Sequence, residues 1–372
     1  MPGPELVFHG RTEVDYAGRT LTFFGGNDYH RLSSHPEVVQ ALTAAAQRHG
    51  LNSAGSRATT ANHPLYLELE RQAAAFLGTE AATVCASGYM SNAMLIQAVA
   101  GEFTTLFLDE IAHPSLAEAA TWTGLPSNRF RHCDPEDLAL QCRLHLQAGD
   151  RPLVMTDGVF PNTGELAPLA DYAAVLQPYD GRIHIDDCHA LGVIGAKGQG
   201  SWEEVGIDRA AALQAGTLSK GLGGFGGVVA GSQALIAAIQ ARSTVFIGST
   251  PSPLPIAAAA TKSLAILTAE PQRLALLRSR TLAFKPAVRA LGFPVSLGAS
   301  PICSITFRDE AKNRILFDLL LENGLYPSFI NYPGCPPGGH FRFTLSSEHT
   351  DEQIARLQQA LEHAASQCGP PQ

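Results

Sequence analysis

Lys220 sits in a run of small residues, Gly216-Thr217-Leu218-Ser219-Lys220-Gly221-Leu222-Gly223-Gly224, that gives a lysine no obvious surface role. The glycines let the backbone approach a bulky ligand, and Thr217 and Ser219 bring hydroxyls. A lysine partly desolvated in such a place has its charged form disfavoured, which suits an amine that attacks a carbonyl. A solvated loop lysine is the plain alternative. A second cluster, Ile185-Asp186-Asp187-Cys188-His189-Ala190, puts two acids at the end of an apolar run. Buried carboxylates are costly without a partner, and a protonated ring nitrogen would serve Asp186, the first candidate. The spacing His184-x-Asp186-x-x-His189 also resembles a metal set, although no further histidine cluster completes its shell. The third cluster, Cys85-Ala86-Ser87-Gly88-Tyr89-Met90, lies between a strand-like run and a helix. Ser87 and Gly88 would present backbone N–H groups at a helix N-terminus, a natural phosphate site, and Tyr89 could cover a planar ring. An ordinary strand-to-helix turn would look the same.

A carbonyl-seeking amine, an acid for a ring nitrogen and a phosphate cradle are three of the four things pyridoxal phosphate requires; the fourth covers the ring face. His113, in Leu108-Asp109-Glu110-Ile111-Ala112-His113-Pro114-Ser115, follows another strand-like run, and its imidazole could lie flat on that ring. The expected cofactor is pyridoxal 5'-phosphate with Lys220 as its Schiff base, and no metal is called for. Gly221-x-Gly223-x-x-Gly226 matches a dinucleotide fingerprint, but it runs into the strand-like Gly227-Val228-Val229-Ala230 instead of opening a helix. That reading is rejected.

The elements that must position these residues alternate along the chain. Pro36–Arg48 and Pro64–Leu77 carry helical apolar faces and end at Gly50 and Gly78. Short apolar runs follow at Ala81–Ala86, Thr105–Leu108, Leu153–Thr156, Arg182–Ile185, Ala212–Ala215 and Gly227–Ala230. Several are separated by helix-length segments, which implies an α/β fold with a mostly parallel, buried sheet. Each chemical cluster falls just after a strand, where open parallel sheets place their ligands. Beyond about Ala257 helical patterns dominate, at Pro271–Leu291 and Asp351–Ala365, with strand-like runs at Ile302–Phe307 and Phe341–Leu345. The expected organisation is an N-terminal segment (residues 1–40), a large cofactor-binding domain (41–265) and a smaller α+β C-terminal domain (266–372).

A chain of 372 residues with 45% hydrophobic and 16% charged residues fits a globular enzyme and argues against wholesale disorder. A net charge of −8 with no Lys/Arg block gives nucleic acid little to hold. Seven scattered cysteines without a CxxC fit reduced thiols in the cytoplasm. No signal-peptide core or bilayer-length apolar run is present, so a membrane partner is not expected.

From Asn27-Asp28-Tyr29 to Arg342-Phe343-Thr344 the sequence resembles the α-oxoamine synthase family of fold-type-I pyridoxal-phosphate enzymes, whose fold is aspartate-aminotransferase-like. The resemblance rests most on Asp186-Asp187-Cys188-His189 with Gly192 and Gly200, and on Thr217-Leu218-Ser219-Lys220. Gly55-Ser56-Arg57, Ser87-Gly88-Tyr89, His113, Asp157-Gly158-Val159-Phe160 and Ser249-Thr250-Pro251 support it in the family's order. It implies that Lys220 holds the cofactor and moves the α-proton of the amino acid. Asp186 would pair with the pyridine nitrogen, His189 would reach the ring hydroxyl, and His113 would stack on the ring and aid proton transfer. Ser87, Gly88, Tyr89, Asp157 and Thr217 would hold the cofactor. Thr250 would reach the phosphate of a neighbouring subunit, implying a homodimer with shared active sites. Asn27 and Arg342 would bind substrate, the arginine taking the amino acid carboxylate with a bidentate fork. The implied reaction joins a small amino acid to an acyl thioester of coenzyme A or a carrier protein.

Departures from the family's pattern gather around the ring hydroxyl and the substrate entrance: Pro161-Asn162-Thr163, His30, Ala61, and Tyr332-Pro333-Gly334-Cys335-Pro336-Pro337. Three rivals stand beside the synthase reading. They are transamination or another amino acid conversion on the same fold, a metal enzyme using His184, Asp186 and His189, and a non-catalytic cofactor-binding protein.

Overall fold

The computed structural model describes residues 3–331, 335 and 338–369. The chain divides into two compact units. The larger comprises Pro36–Phe160 and Leu166–Pro271; the smaller gathers the residues up to His35, Pro161–Glu165 and the chain from Gln272 onward.

The larger unit is built on a seven-stranded sheet: β1 (Ala81–Cys85), β2 (Thr105–Asp109), β3 (Ser127–Phe130), β4 (Pro152–Asp157), β5 (Arg182–Asp186), β6 (Ala212–Thr217) and β7 (Gly227–Gly231). Their spatial order is β1-β7-β6-β5-β4-β2-β3. The pairs from β6 through β3 are parallel, and β7 runs antiparallel to both of its neighbours. Alternate residues serve opposite faces. Leu106, Leu108, Leu153 and Met155 join one buried cluster, while Phe107, Val154, Ile183 and Ile185 join another. A sheet covered on both faces explains the near-continuous apolar runs. Each such side chain, buried, contributes roughly 1.5–3 kcal/mol.

Local chemistry sets the helix ends. Pro64–Leu77 starts with His63 as N-cap, accepting from the Leu65 N–H, and stops at Gly78 with φ 65°. Gly88–Val99 starts at Ser87, whose side chain accepts from the Tyr89 N–H. That helix is buried on most of its surface, so its polar members need internal partners. The rejected fingerprint at Gly221–Gly226 leads into β7, as its sequence implied.

The smaller unit holds two three-stranded antiparallel sheets. One joins Val7–His9, Glu13–Tyr16 and Arg19–Thr22; the other places His340–Thr344 between Ile302–Ile305 and Phe329–Ile330. Its helices are Gln272–Ala290, Glu310–Glu322 and Asp351–Cys368. Among the described residues no helix is long and apolar enough to cross a membrane.

Candidate active site

The carboxyl edge of the sheet gathers the chemistry. Asp157, Asp186 and Thr217 are the last residues of β4, β5 and β6, and Ser87 follows β1. Parallel register places Asp157 directly beside Asp186. A cavity of about 130 Å³ is lined by Ser87, Gly88 and Tyr89, by His113, Asp157 and Asp186, and by His189, Thr217 and Lys220, with Ser115, Cys188 and Ser219 between them. Nine sequence-nominated residues therefore share one wall.

The Lys220 Nζ lies 2.8 Å from His189 Nε2, within hydrogen-bond distance of the imidazole. Asp186 Oδ1 accepts from the Cys188 N–H at 2.9 Å, and its Oδ2 accepts from Asn92 Nδ2 at 2.6 Å. Burial works to raise the Asp186 carboxyl, but the Cys188 contacts, the Lys220 charge and the Asn92 bond outweigh it and hold it below its ordinary value. Asp157 goes the other way. Burial, and then the Asp186 charge, push it well above the carboxylate range, although its Oδ2 accepts from the His113 N–H at 2.8 Å. Of two adjacent buried acids, Asp186 keeps the negative charge and Asp157 the proton.

His113 N-caps the helix Pro114–Thr121, and its Nδ1 accepts from the Ser115 N–H at 3.2 Å and the Ser115 hydroxyl at 2.7 Å. The proton of the neutral ring is thereby left to Nε2. Burial lowers its pKa, partly opposed by Asp186. Tyr89 packs edge-on to this ring at 5.9 Å. Gly88 sits so close to Thr217 that a Cβ would lie 2.6 Å from the Thr217 Cβ, so no other residue fits there without displacement.

Asn92 is the residue that sequence reasoning missed. Its Nδ2 donates to Ser115 Oγ at 2.9 Å as well as to Asp186, while its Oδ1 accepts from His184 Nε2 at 3.0 Å. A buried asparagine inside an otherwise apolar helix was the available signal. The Asn92 contact occupies His184 Nε2, and Lys220 occupies His189 Nε2. Among the described residues the His/Cys/Asp/Glu group close enough to share an ion is Asp109, His132 and Cys133, not His184, Asp186 and His189. Asp187 faces away from the cavity, accepting from the Ser201 N–H and hydroxyl and from Gln214 Nε2, and burial raises it to about 6.

Thr250 is exposed and does not line this cavity. Arg342 and Asn27 lie in the smaller unit, where the carbonyl of Gly26, the residue before Asn27, accepts from Arg342. The Arg342 Nε donates to the Pro161 carbonyl at 2.6 Å, and Nη1 donates to the Gly26 carbonyl and Thr344 Oγ1, each at 3.3 Å. Its Nη2 and the Asn27 Oδ1 are buried without a hydrogen-bond partner. Of the departures, Pro161 thus contributes a carbonyl that orients Arg342. His30 is a core residue whose Nδ1 meets Ser347 Oγ at 3.0 Å, and Ala61 is buried. The stretch Tyr332–Pro337, apart from Cys335, lies outside the described residues.

An amine, an ionised acid and a hydroxyl-lined helix N-terminus around one slot fit pyridoxal phosphate, and on this sheet they define a fold-type-I transferase of that cofactor. A family model described as aminotransferase class I and II matches residues 19–361. The chain is 32% identical to 8-amino-7-oxononanoate synthase 1 of Bacillus velezensis over 355 residues, 95% of this chain and 90% of the relative. It is 35% identical to the 8-amino-7-oxononanoate synthase of Methylococcus capsulatus, over 96% of this chain and 92% of the relative. A serine palmitoyltransferase from S. paucimobilis, solved with a bound PLP–myriocin aldimine, superposes with a TM-score of 0.90 at 26% identity, covering 98% of this chain and 93% of that one. The chain belongs to the aminotransferase class I and II family and within it is a pyridoxal-phosphate-dependent acyltransferase of the α-oxoamine synthase type.

Proposed function

We propose that this enzyme condenses alanine with the thioester of a seven-carbon ω-carboxyacyl group, releasing a thiol and carbon dioxide. The product named by the relatives supports that choice. In 8-amino-7-oxononanoate the amino-bearing end is alanine without its carboxylate, and the remainder is the acyl chain. The observation that carries the reading is the single cavity where Lys220 meets His189 beside the ionised Asp186. Bound there, pyridoxal phosphate supplies an electron sink for the carbanion at the amino acid Cα. Lys220 would hold the cofactor's aldehyde carbon and then move the Cα proton, with His189 taking its hydrogen bond. Asp186 keeps a fixed negative charge for the ring nitrogen, because Cys188 and Asn92 already satisfy its oxygens. Ser87, Gly88 and Thr217 would receive the phosphate, and Tyr89 and Asp157 complete the cofactor's walls. His113 presents Nε2–H, a donor for an acyl oxygen that gains charge. The unpartnered Arg342 Nη2 suits a substrate carboxylate.

The same reading includes a homodimer in which Thr250, exposed in the single chain, reaches the phosphate site of its neighbour. Seven free cysteines favour a cytoplasmic setting. Product analysis with alanine, glycine or serine against pimeloyl, acetyl or palmitoyl thioesters, each on coenzyme A or a carrier protein, tests the assignment. The expected outcome is a product from alanine and the pimeloyl donor alone. Preference for serine and palmitoyl would overturn the proposed substrates.

A further inference from the structure

A second cavity, about 620 Å³, opens at the other end of the same strands. Its wall includes Arg182 at the start of β5, Ala212 at the start of β6, and Ala230 and Gly231 at the end of β7. The active-site residues occupy the opposite ends of β5 and β6, about 13 Å of strand away along β5. The volume falls within the range of small-molecule sites.

Three guanidinia line it: Arg182, Arg209 and Arg242. Among the described residues none of them has a carboxylate within ion-pair distance. Arg182 donates to the Ala212 carbonyl at 3.4 Å, Arg209 to the Ala230 carbonyl at 3.4 Å, and Arg242 to the Ala98 carbonyl at 3.0 Å. The Arg182 Nε and Arg209 Nη1 are out of water with no acceptor at all. Arg209 is further fixed by stacking over the Trp202 ring, 4.6 Å from its centroid. Two acids also line the wall, but Glu80 Oε2 already accepts from the Gln233 N–H, and Glu102 is exposed. Burial lowers the pKa of Arg182, partly opposed by Glu102 and Asp180, and takes Arg209 to about 10 against the charge of Asp187, so the acids nearby do not make up for the water these cations have lost.

Guanidinium forks left without carboxylates match phosphoryl oxygens, and three around one cavity call for more than one negative charge. We propose that this cavity binds a polyanion bearing phosphoryl groups, separate from the cofactor's own phosphate. Thr79 and Ser232 would add hydroxyls, and Val99, Leu213 and Leu235 give an apolar wall for the rest of such a ligand.

Calorimetric titration of the enzyme loaded with pyridoxal phosphate tests this, because the cofactor fills the other phosphate site. Inorganic pyrophosphate is expected to bind saturably at low salt. Arg182→Gln and Arg242→Gln should each weaken it by roughly tenfold, the loss of one charge-assisted contact. Ala234→Glu, at an exposed lining position, leaves all three arginines in place and should weaken binding similarly by adding a like charge. Adenosine diphosphate distinguishes the ligand's source. Equal affinity assigns recognition to phosphoryl groups alone, and tighter binding adds the apolar wall. No saturable pyrophosphate binding, or an affinity unchanged in all three variants, would overturn the proposal.

Discussion

Two histidines from each compact unit are chemically alike and are used in opposite ways. In the larger unit His113 and His189 line the cavity, one 2.7 Å from a serine hydroxyl and the other 2.8 Å from a lysine amine. In the smaller unit His340 and His349 are wholly buried. His349 Nδ1 accepts from the Ser346 N–H at 2.9 Å, Nε2 donates to the Phe23 carbonyl at 3.0 Å, and the ring stacks on Phe24 at 4.0 Å. Burial, then the charge of Arg31, pushes it down to about 3; burial and Arg342 push His340 to about 4. An imidazole becomes chemical when it faces a group that changes charge. Locked between backbone atoms and an aromatic ring, as His349 is, it is a neutral splice in the core.

The strongest way to break that contrast is to remove the changing charge. Lys220→Ala should lower turnover by at least about 10³-fold and leave pyridoxal phosphate removable by dialysis. Cofactor retained covalently, seen by intact mass after reduction, would refute the role of Lys220. Asp186→Asn should retain the cofactor while slowing Cα-proton exchange by roughly 10²-fold, since a neutral amide no longer holds charge at the ring nitrogen. Proton exchange of the amino acid in deuterated water measures this, and an unchanged rate would exclude the residue from that step.

A smaller effect sharpens the comparison inside the site. Asn92→Ala strips Asp186 of one donor and leaves His184 Nε2 without an acceptor. As a positioning change it should lower kcat about tenfold, cost roughly 1–3 kcal/mol of stability, and move the acidic limb of the pH–rate profile upward. A stability loss with an unmoved limb would make Asn92 purely structural. The smallest effect belongs to the core. Unfolded histidine titrates near 6.5, whereas His349 stays neutral down to about 3 when folded. Between those values the unfolded chain binds the extra proton, so the stability present above about pH 6.5 is lost as pH falls, by roughly 2 kcal/mol at pH 5. Urea unfolding of wild type and His349→Gln from pH 7 to 5 should show the gap narrowing. Parallel pH dependences would mean that the buried ring carries no such penalty.

What was legible in the sequence was local. Lys220, Asp186 and Ser87 each follow an apolar run and a change in residue type, so strand end and chemistry could be read together. Asn92 was not found because its partners lie on other elements, Asp186 being ninety-four positions away. The strands Glu13–Tyr16 and Arg19–Thr22 were passed over because their runs are largely polar. Their turn, Ala17 at φ 50° and Gly18 at φ 75°, carried one available clue, a glycine in a two-residue hairpin loop. Ser127–Phe130 is a half-exposed edge strand with one buried residue, too weak a pattern to read. Arg342 came from resemblance alone; no spacing tells that the Gly26 and Pro161 carbonyls orient its fork.

The division of the chain has a bearing on its synthesis. It passes between units after His35, Phe160, Glu165 and Pro271. The opening segment finds its mates near the far end: the Thr22 N–H donates to the Gly324 carbonyl, Arg11 pairs with Glu348, and the Thr344 N–H donates to the Phe24 carbonyl. Translation therefore delivers Val7–Phe24, including three strands that pair with one another, long before Gly324, Thr344 and Glu348 exist for this segment to dock on. The larger unit can condense during translation, while this small sheet waits, paired with itself but undocked, until the residues after Gln272 emerge. Slow translation of the residues after Gln272 would lengthen that wait and expose the undocked sheet to misassembly.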